Sequence, residues 1–255
     1  MTLDPNKSPL YVILFAAVVS GAFTCAIMAL HVATEPVVQA NQKLLRQKAL
    51  VGLFSLGDVA ELTADQIASL VETRIYETTI NARSDLETPL LVAFRQPIEV
   101  EGRPPIDIHD KAAVAAYAFP ISGVGFWARI DGYLAVTPDL SRVVGIVFIA
   151  HSETPGLGGR ITEPAFREQF KGLPVTPPAR GDRFIYIERT SPAPSDPRHK
   201  RHVDAITGAT GTSTAVDEFL NRDIERFRRA AVQAGLIESG RAGDVHAGRG
   251  VQPSP

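Results

Sequence analysis

The chain has 255 residues, 45% of them hydrophobic, and a formal charge of −2, enough for one sizeable domain with appendages. So even a charge balance excludes a nucleic-acid binder, which presents a strongly basic face. The single cysteine, Cys25, excludes an intrachain disulfide framework and a CxxC metal site, and no Cys/His spacing suits zinc or an iron–sulfur cluster.

Residues 10–33 contain no Asp, Glu, Lys or Arg. As a helix this run spans about 36 Å, enough to cross a bilayer core. It is longer than a signal-peptide h-region, and Thr34, Glu35 and Pro36 follow it rather than a small-x-small cleavage site. It therefore reads as a retained membrane anchor, residues 1–34, bathed in lipid. Lys43, Arg46 and Lys48 follow the run, and by the positive-inside rule they favour a cytoplasmic C-terminal side.

Residues 37–56 alternate apolar and basic positions at helical spacing and continue the anchor as an amphipathic helix. Thr63 and Gln66 form a capping box that opens a second helix through Val71. Strands are expected at 74–80, 90–94, 114–121, 126–136 and 143–150, the last strongly β-branched. Residues 97–108 read as turns around Pro104 and Pro105. A short helix is expected at 164–170, a strand at 183–188 and a proline-rich loop at 190–197. Residues 239–255, rich in Gly, Arg and Pro, read as a disordered tail. Strands and helices segregate, which implies an α+β domain over 35–238.

The stretch with most chemical content is 204–213, Asp-Ala-Ile-Thr-Gly-Ala-Thr-Gly-Thr-Ser. It precedes a strongly amphipathic helix carrying Val216, Phe219, Leu220, Ile224 and Phe227 on one face. Thr214 followed by Asp217 reads as a capping-box variant, placing the helix start near 212–214, and Gly235 as its stop. A glycine turn that delivers hydroxyls to a helix N-terminus is a natural anion seat. No Gly-Lys-Ser/Thr follows, so it is not a Walker loop. Asp204 is expected to hydrogen-bond the N–H groups of the turn. Trp127, beside a strand, is expected in the core. The basic run 198–202 is expected to be a solvated loop. A hydrolase built from His151, Ser152 and a carboxylate such as Asp204 is disfavoured, because no Gly-x-Ser-x-Gly elbow exists.

Residues 204–213 closely resemble the flavinylation motif, Ser/Thr-Gly-Ala-Thr-x-Thr, of the FMN-binding domain family. Two further stretches resemble that family in the same order. They are 123–127, Gly-Val-Gly-Phe-Trp, leading to Gly-Tyr-Leu-Ala at 132–135, and 151–159, His-Ser-Glu-Thr-Pro-Gly-Leu-Gly-Gly. Ser152 stands where the family has Gly, and Gly211 occupies the variable motif position. The family includes membrane subunits of the sodium-translocating NADH:quinone reductases and of the related Rnf complexes. The resemblance implies FMN held covalently by a phosphoester to Thr212, with Thr207, Gly208, Ala209 and Thr210 at the motif positions before it. It implies that a loop carrying Glu153, Thr154, Gly156, Leu157 and Gly158 folds over the flavin. No catalytic or metal residue is implied. A separate magnesium-dependent flavin transferase, using FAD, would load the chain. The loaded domain would face the periplasm from the bacterial inner membrane and relay electrons among other membrane subunits of a respiratory complex. The alternatives are a subunit of an Rnf complex and an anchored FMN-binding sensor.

Overall fold

The structure, a computed structural model, describes residues 9–81, 85–98, 107–179 and 181–237. The expected C-terminal tail and most of the turn-rich 97–108 segment lie outside them. The chain divides into two units, Met1–Gln47 and Lys48–Pro255.

Helix α1, Pro9–Leu53, supplies the first unit. In its N-terminal half apolar side chains such as Leu14, Phe23, Ile27 and Leu30 are exposed. An 18-residue window reaches a mean hydropathy of 2.4, so the helix is long and apolar enough to cross a membrane. Two of its hydroxyls are satisfied within the helix: Thr24 Oγ1 donates to the Ser20 carbonyl and Thr34 Oγ1 to that of Leu30. Pro36 sits inside the helix and lacks the N–H that would close the turn behind it.

The second unit opens on the last turn of α1 and helix α2, Ala64–Arg74. The Thr63–Gln66 capping box is present in both directions. A five-stranded antiparallel meander follows in sequence order: β1, Ile75–Ile80; β2, Thr88–Phe94; β3, Val114–Val124; β4, Arg129–Val136; β5, Val143–Ala150. The α3 turn, Pro164–Arg167, and the short parallel pair β6, Tyr186–Glu188, and β7, His202–Asp204, lead into the long helix α4, Thr210–Gln233. This is the expected α+β arrangement, a mostly antiparallel sheet with flanking helices.

Strand periodicity gives the sheet two apolar faces. One presents Phe119, Ile121, Ile130, Leu134, Ile146 and Phe148 to the apolar stripe of α4. Phe119 and Phe227 stack with centroids 4.0 Å apart. Burial of each such side chain is worth about 1.5–3 kcal/mol. Gly123 lets the helix approach, since a Cβ there would lie 2.4 Å from the Phe219 ring. The other face presents Leu91, Ala93, Ala116, Ala118, Ala135 and Val147 to Leu50, Leu53 and Phe54. Alanines on that face make room for the helical turn.

Polar side chains of α4 tether the segment before β6. Asn221 Oδ1 accepts from the Phe184 and Ile185 amides, and its Nδ2 donates to the Ile185 carbonyl. Asp217 Oδ1 accepts from the Ile187 amide at 2.9 Å, and its other oxygen pairs with Arg183. Burial pushes the Asp217 carboxyl above the usual carboxylate range, against the pull of the Ile187 N–H and Arg183. The basic run is more than a solvated loop. Arg201 donates to the Pro174, Phe184 and Thr176 carbonyls, and Arg198 pairs with Asp196.

Candidate functional site

The site forms where the loop after β5 meets the first turn of α4. The chain enters this turn from β7 through Gly208, whose φ of +84° suits glycine. The helix then begins at Thr210, with Ala209 as N-cap and no side-chain cap. This corrects the expected start at 212–214. Ser213 closes the turn instead, accepting from the Ile206 amide at 3.1 Å, while its own amide bonds Ala209 O at 3.0 Å. Asp204 takes no part in the turn. Its carboxylate, largely exposed, pairs with His202 Nε2 at 3.0 Å. The reason is geometric: β7 carries Asp204 to the strand end, and the turn that follows points elsewhere.

Thr212 therefore lies in the first turn of α4, 2% exposed. Its Oγ1 donates to Glu153 Oε2 at 2.5 Å. Glu153 is 5% exposed, and its Oε1 accepts from the Trp127 amide at 3.1 Å. The loop that brings it there is pinned by Leu157 N and Gly159 N, both bonding Thr154 O, and by Glu153 N donating to His151 Nδ1 at 3.2 Å. Two glycines hold space around the pair. A Cβ at Gly158 would fall 2.4 Å from Thr212 Oγ1 and 2.5 Å from Glu153 Oε2; one at Gly125 would fall 2.5 Å from Glu153 Oε1.

Above this pair opens a cavity of about 180 Å³, lined by Phe126, Trp127, Glu153, Thr154, Leu157, Gly158, Gly208, Ala209, Thr210, Gly211 and Thr212. Of the residues read from the sequence, eight line it together. Thr207 and Gly156 do not: Thr207 is exposed, and Gly156 makes the loop turn with φ +74°. Trp127 is not core. It is 67% exposed at the cavity rim, edge-on to Phe126 at 5.2 Å, with its indole N–H on Thr154 Oγ1 at 3.1 Å. Sequence reasoning misses Phe126, whose only signal is its place inside the Gly-x-Gly-x-Trp block. Ser152 is exposed and His151 Nδ1 faces the Glu153 amide, which leaves no nucleophile–base pair of the hydrolase kind there.

An uncapped helix N-terminus, a buried hydroxyl at the floor and exposed aromatic walls suit a ligand with an anionic end and a flat apolar end. Residues 125–225 match the model of the FMN-binding domain family. Every residue that lines the cavity falls within this matched segment. Relatives are more specific. The chain is 27% identical over 242 residues, 86% of its length and 91% of the relative's, to the C subunit of the Na(+)-translocating NADH-quinone reductase of Pseudomonas aeruginosa. It is 34% identical over 134 residues to the protein of the same name in Chlamydia pneumoniae, a match covering 48% of this chain and 42% of that one. The fold is similar to a crystal structure of the same C subunit from Parabacteroides distasonis, with TM-score 0.54, 21% identity, and coverage of 76% of this chain and 94% of that one.

Proposed function

We propose that this chain is a membrane-anchored flavoprotein subunit that carries FMN as a phosphoester on Thr212 and relays electrons within a sodium-translocating NADH:quinone reductase. The observation that carries the reading is the place of the Thr212 hydroxyl: in the first turn of α4, at the floor of the cavity, within 2.5 Å of a buried carboxylate. The surroundings fit FMN. The phosphate would meet the open N–H groups of the first turn of α4. Phe126, Trp127 and Leu157 offer apolar surface for the ring, and Thr154 a polar contact. The near full-length likeness to the Pseudomonas aeruginosa protein supports the complex.

FMN would supply one- and two-electron chemistry, and the protein binding, orientation and electrostatics. Attachment through Thr212 would keep the cofactor from diffusing away and fix its distance to redox partners. Helix α1 would cross the bacterial inner membrane once, with the domain in the periplasm and the other membrane subunits of the respiratory complex beside it. A flavin transferase would load it.

The test is intact mass and in-gel flavin fluorescence of the denatured full chain, wild type against Thr212→Val, coexpressed with an active flavin transferase. One FMN adduct in the wild type, lost in the variant, is the expected result. An adduct that persists in Thr212→Val would move the attachment point, with Thr210 next in line. No adduct in either, with the transferase active on a control, would sink the covalent reading.

A further inference from the structure

The Thr212–Glu153 contact does more than shape a pocket. A buried carboxylate is costly unless it is bonded, and this one is fixed at both oxygens, by the Trp127 amide and by the very hydroxyl that would react. A threonine hydroxyl is a weak nucleophile until a base takes its proton. A Cβ at Gly158 or Gly125 would collide with the carboxylate, so the two glycines keep its place beside Thr212 open.

Resting on the reading of Thr212 as the attachment point, we propose that Glu153 is the catalytic proton acceptor for flavin loading and retains that proton as a hydrogen-bond donor to the finished phosphoester. Thr212 Oγ1 attacks the flavin-side phosphorus of transferase-bound FAD. The new O–P bond forms as the pyrophosphate P–O bond breaks, and AMP leaves with that electron pair. The Thr212 proton passes to Glu153 Oε2. No electron is gained or lost, and total charge is conserved. Afterwards a phosphodiester anion sits where Glu153 had accepted a hydrogen bond. Two anions side by side in a buried site disfavour each other, and the neutral carboxyl removes the conflict. Glu153 meets uncharged Thr212 from α4, and Gly125 and Trp127 from the segment before β4. On its own loop, His151 Nδ1 accepts from the Glu153 backbone amide.

The experiment measures single-turnover FMN transfer to the full chain by intact mass, with purified transferase and FAD. Glu153→Gln, isosteric but unable to take the proton, should load about 100-fold or more slowly. Glu153→Asp, smaller but still a base, should recover part of the rate. A merely structural gap would reverse that order, with Asp worse than Gln, and either that reversal or wild-type loading in Glu153→Gln would overturn the proposal. A second measurement needs no variant. Infrared spectra of wild-type protein with ¹³C-labelled glutamate should gain a protonated-carboxyl stretch on loading, and its absence would overturn the proposal. Lack of any adduct in the wild type would instead count against the attachment reading itself.

Discussion

The two ends of α4 are finished in opposite ways. At the C-terminus the backbone closes the helix by itself. Gly235 adopts φ +72°, its amide bonds Val232 O, and the Leu236 amide bonds Ala231 O, the paired bonds of a Schellman motif. Leu236 is 2% exposed, so the closing residue is also anchored in the core. At the N-terminus no side chain caps the first turn, Gly211 and Thr210 are exposed, and a cavity stands over them. One end is settled by the chain alone. The other is left open, and on the proposed function a ligand would complete it. Closure by the chain and openness to solvent are thus divided along a single element.

Three substitutions would break or sharpen this contrast. The largest effect is expected at the open end. Gly158→Ala drives a Cβ into Thr212 and Glu153; overpacking of this kind costs about 1–3 kcal/mol. Flavin loading should be lost along with that stability. Urea unfolding and intact mass, read together, check both. At the closed end Gly235→Ala should cost about 1 kcal/mol, because alanine resists positive φ. Nothing crowds its Cβ, and loading should be unchanged. A loading defect there would mean that the two ends are coupled. The smallest effect concerns Asp217, about two turns in from the open end. Its folded pKa is raised by burial. The stability this group contributes is fully present below the ordinary carboxylate pKa of about 3.9 and is lost as pH rises through the raised folded value. Relative to Asp217→Asn, the wild type should therefore gain stability as pH falls toward that ordinary value. Chemical unfolding across this range reads the sign. A change in the other direction would mean that the Arg183 pair outweighs burial.

The same contrast explains what can be read from the sequence. Closed, self-contained features are legible. The Thr63–Gln66 box, the Gly235 stop and the β-branched strand at 143–150 each follow from local chemistry, and each appears where expected. The apolar stripe of α4 is equally plain. The start of α4 is not, because Thr214 and Asp217 mimic a cap while the turn is closed from outside by Ser213 and the Ile206 amide. Asp217 is engaged instead by Ile187 and Arg183. Trp127 is expected in the core because aromatic residues beside a strand usually lie there. Here the strand begins only at Arg129, and the preceding loop turns outward over Glu153. The pairing of Glu153 with Thr212 spans 59 residues, and no local pattern could reveal it.

Trp127 is the chain's single tryptophan, and it stands on the cavity rim. Indole emission from this protein, separable from that of its five tyrosines by its longer wavelength, therefore comes from one side chain at one address. A flavin absorbs where indole emits, so a ring seated beside Trp127 would drain that emission by energy transfer. The molecule thus carries a built-in optical gauge of occupancy. It needs no label, and it distinguishes a filled cavity from an empty one before any covalent bond has formed.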